Sequence, residues 1–221
     1  VSGKSGDGRS NMAKKPAGNA DKRRTAHDSS EPGELRIIGG SWRGRKLRFP
    51  ALPGLRPSPN RVRETLFNWL QPELAGANCL DLFAGSGALG LEALSRGAGG
   101  CWFVELARAA SQQIEQHLAT LRCDTGRVVA ADALHWLESA PPTPRFHLVF
   151  LDPPFRQGLV ADCCARLERS GRLSGNALIY VESAADEGQP EVPANWSLHR
   201  DKQAGQVAYR LFRRVAVEPA N

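Results

Sequence analysis

A chain of 221 residues, 41% hydrophobic and 24% charged, suits one globular domain with an appendage and can bury a sizeable core. It lacks an apolar run near the roughly 18 residues a membrane span needs and the pattern of a secretory leader. Its five cysteines form no C-x-x-C pair or zinc-spaced Cys/His cluster, so a cytoplasmic protein without membrane or metal is expected. Charge is uneven: residues 1–70 hold 15 Lys/Arg against 6 Asp/Glu and residues 71–221 hold 14 against 17, which reads as a basic arm for a polyanion on a slightly acidic body.

Residues 1–33 are rich in Gly, Ser, Lys, Arg and Asp and cannot bury enough apolar surface to offset ordering entropy, so a disordered basic tail is expected there. The sole methionine is Met12, which allows residues 1–11 to be an added leader or an alternative start. An extension over 34–76 follows. Leu35 to Ile38, a Gly39-Gly40 turn and Arg43 to Phe49 predict two short strands, with Arg and apolar residues alternating between a basic and a packed face. After a Pro-rich link over 50–57, Ser58-Pro59 reads as a helix start with a capping hydroxyl. The helix runs from Pro59 to about Leu70 with Val62, Leu66, Trp69 and Leu70 on one face, and Arg61, Arg63 and Glu64 largely elsewhere.

From residue 77 to 215 strands and helices alternate. Strands are expected over 78–82, 101–105, 127–131, 146–151 and 177–181, and helices over 88–96, 107–121, 133–139 and 159–169. Ala110, Ile114, Leu118 and Leu121 mark a buried stripe in the second of these helices. Such alternation predicts a parallel sheet covered on both faces. The segments 196–202 and 206–213 flank Ala204-Gly205 with no room for a helix and read as a terminal hairpin. The expected fold is therefore α/β and Rossmann-like, a mostly parallel sheet of seven strands with the last one reversed, followed by a flexible tail at 216–221. Cys79, Cys101, Cys123, Cys163 and Cys164 read as buried or partly buried free thiols, and the five scattered histidines are assigned no chemistry.

Chemistry concentrates at the strand ends. Cys79 to Gly90 reads as strand, glycine turn and helix start, and Gly85, Gly87 and Gly90 match G-x-G-x-x-G. That match alone leaves a nicotinamide-binding unit open. Asp81, just before the turn, would repel a pyrophosphate but suits a ligand with a cationic amino-acid moiety, such as S-adenosylmethionine. Glu105 ends the second strand about 20 residues on, where a carboxylate can accept ribose hydroxyls. Asp132 follows the third strand and could meet the adenine amine, or simply cap the next helix. Phe83, Ser86, Leu106 and Ala133 complete the expected cofactor set, in which S-adenosylhomocysteine would be the product.

The apolar strand Phe146 to Leu151 ends in Asp152-Pro153-Pro154-Phe155. Two prolines fix the backbone and remove its N–H groups, so the Asp152 carboxylate and nearby carbonyls can face a planar amine as acceptors. Phe155 offers a ring for a flipped-out base. An exocyclic base amine is a poor nucleophile because its lone pair is delocalised. Acceptors on its hydrogens favour pyramidal nitrogen and aim that pair at a sulfonium methyl, for in-line transfer without a covalent intermediate. Asp152 can take the surplus proton.

With these residues in view, the chain resembles the RsmD-type bacterial 16S ribosomal RNA guanine-N2 methyltransferases, within the class I S-adenosylmethionine-dependent fold. The resemblance rests on Arg36 to Gly40, Arg43 to Leu47, Arg61 to Leu70, the glycine motif, Asp152 to Phe155, Tyr180 to Ser183, and Gly205 to Leu211. It implies N2 methylation of one small-subunit guanine, guanine-966, in an assembled or assembling 30S particle; a monomer is the default expectation, independent of the resemblance. Arg36, Arg43, Arg45, Lys46, Arg61 and Arg63 are the basic residues expected to contact RNA. Ser58 and Asn60 stand where the family usually has Thr and Asp. Competing readings are a DNA adenine-N6 methyltransferase, a nicotinamide-dependent oxidoreductase, and a non-catalytic RNA-binding module.

Overall fold

The computed structural model describes residues 1–3, 33–49, 58–139 and 144–216. The expected tail, the Pro-rich link and residues 217–221 therefore lie largely outside the described residues. The chain begins with an antiparallel pair, β1 (Gly33–Arg36) and β2 (Lys46–Phe49), with Leu35 opposite Leu47. Alternation works as the sequence predicts: Leu35, Leu47 and Phe49 are buried, whereas Arg36, Lys46 and Arg48 face out. The first strand keeps its expected length but lies two residues earlier, and the second is shorter than expected, with a 3-10 turn at Gly40–Trp42 taking the middle of the hairpin.

Helix α1 (Asn60–Leu74) runs one turn past the expected end, through Pro72. Pro72 loses a backbone N–H there, but Leu74 is buried and holds the extra turn in place. The sheet then follows as β3 (Asn78–Asp81), β4 (Gly100–Glu105), β5 (Gly126–Ala130), β6 (Phe146–Leu151), β7 (Leu173–Ala184), β8 (Trp196–Ala204) and β9 (Val207–Arg214). Helices α2 (Ala88–Ser95), α3 (Arg108–Thr120), α4 (Ala133–Ser139) and α5 (Leu159–Arg169) make the crossovers. Spatial order is β5-β4-β3-β6-β7-β9-β8; the first five are parallel and β9 runs antiparallel to both neighbours. Strand β7 is far longer than the 177–181 expected, reaching back so that Leu173 pairs with Phe146 across a register shift.

Alternation along the central strands sorts the interior into two cores. Cys79, Leu148, Phe150, Leu178 and Tyr180 join α1, α2, α3 and the N-terminal hairpin on one side. Leu80, Val149, Leu151, Ile179 and Val181 join α4 and α5 on the other. Glycine is required at Gly90, where a Cβ would overlap the Phe103 ring and push α2 off β4. No helix among the described residues is long and apolar enough to cross a membrane.

The extension is anchored as well as packed. Glu92 of α2 accepts the N–H groups of Ile38 and Gly39 at 2.8 Å each, and pairs with Arg96 at 2.7 Å and Arg63 at 3.4 Å. Ser95 accepts the Trp42 N–H and donates to the Gly39 carbonyl. Gly40 passes so close that a Cβ would strike the Ser95 carbonyl, at φ +75°. On α3, His117 Nε2 sits 2.8 Å from the Arg48 carbonyl; a carbonyl only accepts, so that nitrogen carries the hydrogen.

Candidate active site

The parallel strands place their carboxyl ends along one edge, where crossovers leave a crevice. Asp81 ends β3, Asp152 follows β6, and Glu182 lies near the end of β7. Leu151 is paired with Val181, so Asp152 and Glu182 stand side by side on neighbouring strands. Period-two alternation sends both to the face that already holds Phe150 and Tyr180. The register fixes the cluster: Asp81 pairs with Phe150, two residues before Asp152.

These carboxyls sit where ionisation is costly. Burial, partly offset by the Gly90 N–H at 2.9 Å, pushes Asp81 up to about 7, with Glu105 and Glu182 adding repulsion. Burial raises Asp152 well above the usual carboxylate range, and Glu182 and Asp81 raise it further against a weak hydrogen bond from Ser58. Burial raises Glu182 too, opposed by the hydroxyls of Ser58 and Tyr180. No ion pair involves Asp81, Asp152 or Glu182 among the described residues. Such a set fits a ligand that brings its own positive charge.

The glycine turn has the expected backbone. Gly85 and Gly87 adopt φ +53° and +77°, the left-handed region suited to glycine, and Gly87 immediately precedes α2. Glu105 braces the turn, accepting the Gly85 N–H through Oε2 and the Ala107 N–H through Oε1, both at 2.7 Å. Ser86 is buried and Phe83 half-buried, while Leu106, just past the end of β4, is 71% exposed. Asp132 accepts the His135 N–H at 2.9 Å, which is the helix-capping alternative; Ala133 behind it is buried.

In the motif itself, Pro153 is buried, Pro154 exposed and Phe155 exposed. The loop beyond is tied down: the Arg156 N–H reaches Glu187 at 3.0 Å, its guanidinium reaches Asp186 at 3.0 Å, and Glu187 also accepts the Ala184 N–H. Arg156 holds φ +59°, unusual for a side-chain-bearing residue. Sequence reasoning misses both this clasp and the Glu182 cluster; the stretch Tyr180 to Ser183 is the one signal that points toward the latter.

Two expectations about the extension need correction. Ser58 does not cap α1: the cap position is Pro59, without a side-chain hydrogen bond. The Ser58 hydroxyl instead donates to Glu182 Oε1 at 2.8 Å and lies 3.4 Å from Asp152 Oδ2. Arg63 is not placed for RNA, being 1% exposed and committed to Glu92, the Arg36 carbonyl at 2.9 Å and Asn60 Oδ1 at 2.7 Å. A neutral amide at position 60 thus still supplies an acceptor. Arg36, Arg43, Arg45, Lys46 and Arg61 are exposed, with Lys46 also paired to Glu34 at 3.0 Å.

Comparison with known proteins agrees with this architecture. The family model described as conserved hypothetical protein 95 matches residues 35–213. Ribosomal RNA small subunit methyltransferase D of Escherichia coli K12 is 58% identical over 187 residues, 85% of this chain and 93% of that protein. Its Haemophilus influenzae counterpart is 46% identical, over 81% of this chain and 94% of that one. The solved structure of the Escherichia coli yhhF methyltransferase has a TM-score of 0.76 at 55% identity, covering 84% of this chain and all of that one.

Proposed function

The chain belongs to the conserved hypothetical protein 95 family, with curated relatives that are small-subunit ribosomal RNA methyltransferases, and from that premise we propose that it methylates the exocyclic N2 amine of a single guanine in 16S rRNA. S-adenosylmethionine supplies, when bound, an electrophilic methyl group on a cationic sulfur. Gly85, Ser86, Gly87 and the buried Asp81 would hold its amino-acid end, Glu105 its ribose, and Phe83, Leu106, Asp132 and Ala133 its adenine. The carboxylates of the crevice favour a cation there and oppose the pyrophosphate that a nicotinamide cofactor would bring.

Asp152 and the carbonyls held by Pro153 and Pro154 accept the hydrogens of the base amine, while the exposed ring of Phe155 stacks on the base. These acceptors aim the nitrogen lone pair at the methyl group that S-adenosylmethionine would supply. The amine's surplus proton passes to Asp152. The arm contacts RNA phosphates through Arg36, Arg43, Arg45, Lys46 and Arg61. Guanine-966 within a 30S particle is the proposed target, and a monomer the proposed state. A DNA amine would suit the same chemistry, but the basic arm favours structured RNA.

The observation that carries this reading is Asp152, half-buried in the crevice beside two carboxyls and followed by two prolines and an exposed aromatic. Asp152→Ala is expected to lose methyl transfer by a factor of about 100 or more, while titration calorimetry shows S-adenosylmethionine still binding. Equal loss of turnover and binding would overturn the assigned role.

A further inference from the structure

Three side chains from two distant parts of the sequence meet beside Asp152. Ser58 stands just ahead of α1, while Tyr180 and Glu182 lie two residues apart on one face of β7. The Ser58 hydroxyl is 2.8 Å from Glu182 Oε1, and the Tyr180 hydroxyl reaches the same oxygen at 2.8 Å. All three residues are buried, with 6%, 1% and 2% exposed for Ser58, Tyr180 and Glu182. The Ser58 hydroxyl has one proton and stands between the two carboxyls, 2.8 Å from Glu182 Oε1 and 3.4 Å from Asp152 Oδ2, so that proton is shared between them.

A buried carboxylate without a cation is costly to keep. Packing alone does not account for Glu182, since an apolar side chain would fill the place without that cost. Its setting is instead electrostatic. Around Asp152 the ionisable groups are Glu182 and Tyr180 on β7, Asp81 on β3, Glu105 beyond Asp81, and Tyr209 on β9 next to Tyr180. Arg63, the buried cation of α1, is spent on Glu92.

We propose that Glu182 is a positioning residue for Asp152, the two carboxyls standing side by side on neighbouring strands with the Ser58 hydroxyl between them, and that Ser58 links this pair to the root of the RNA-contacting extension. The inference rests on the proposed role of Asp152 as the group that faces the amine. Glu182 raises Asp152, and the Ser58 hydrogen bond lowers it. Removing one or the other therefore shifts the acid limb of the rate profile in opposite directions. A scaffolding role would not do this.

The test is the pH dependence of kcat for methyl transfer in Glu182→Gln, Ser58→Ala and Ser58→Thr. The amide of Glu182→Gln retains an acceptor for both hydroxyls. It is expected to move the acid limb down by about one pH unit and to lower the plateau about tenfold, because a weaker base removes the proton less well. KM for S-adenosylmethionine should stay near that of the parent protein, and the melting temperature should not fall below it. Ser58→Ala should move the limb up, and Ser58→Thr should restore it.

Limbs that coincide with the parent profile, or that move together in one direction, would overturn the proposal. The roles of Asp152 and Glu182 fail in different ways. If Asp152→Ala still turns over, the assignment of Asp152 falls. If Asp152→Ala is inactive while the limbs stay fixed, only the role of Glu182 falls.

Discussion

Replacing Glu92 with alanine should detach the N-terminal extension from the body of the protein. Glu92 is fully buried and accepts from two backbone amides, Ile38 and Gly39, while pairing with Arg63 and Arg96. Arg96 is partly exposed, at 22%, and can turn to water; Arg63 is 1% exposed and cannot. Leaving one charge of a buried pair without its partner costs about 3–5 kcal/mol. Each stranded amide adds about 1–3 kcal/mol if it stays buried. The losses overlap, since a loosened hairpin rehydrates its own amides, so about 4–6 kcal/mol is expected in total rather than the sum of the parts. That is a large share of a domain's usual stability of roughly 5–15 kcal/mol.

Denaturant unfolding of Glu92→Ala should show this loss, and RNA affinity should fall more than affinity for S-adenosylmethionine. Glu92→Gln should lie between, because the amide keeps one acceptor but turns a donor toward the Arg63 and backbone N–H groups. A Glu92→Ala protein within about 1 kcal/mol of the parent, with RNA binding intact, would refute the reasoning that this carboxylate is the anchor.

Two further outcomes follow from charge. Neutralising Arg43, Arg45 and Lys46 together should reduce the slope of log affinity against log salt by about 2, as expected when exposed cations stop displacing phosphate counterions; an unchanged slope would rule out an arm–phosphate contact. Asp81, Asp152 and Glu182 all have raised folded-state values. Their contribution to stability is therefore full below the unfolded carboxylate range near about 4 and is lost as pH rises through the folded values, about 7 for Asp81. Melting temperature of the unliganded protein should fall between about pH 5 and 8, and Asp81→Asn should flatten that fall. A melting temperature that rises across this interval would show that groups other than the carboxyl cluster govern stability there.

What can be read from the sequence is whatever is local. The strand from Phe146 to Leu151 and helices α4 and α5 have the expected bounds because apolar periodicity and turn residues act over a few positions. The glycine turn and the Asp-Pro-Pro-Phe motif are legible for the same reason. Asp81 and Asp152 fall at one edge, as expected, because parallel crossovers put all carboxyl ends there. Arg63 departs from expectation because a cation is usually assigned to the wet face of a helix. Here the buried face is wide, taking Val62, Arg63, Leu66, Phe67, Leu70 and Leu74, and Glu92 neutralises the charge from 29 residues away. Ser58 carries a strong local signal for capping, yet its partner is 124 positions on. Glu182 and the Arg156 clasp likewise depend on which strands become neighbours, and no local pattern encodes that.

The most direct test of the central claim is methyl transfer from labelled S-adenosylmethionine to unmethylated 30S particles, free 16S rRNA and DNA in parallel, followed by digestion to nucleosides. The expected result is label as N2-methylguanosine at a single site in the 30S particles. Label on DNA alone, or on a nucleoside other than guanosine, would contradict it.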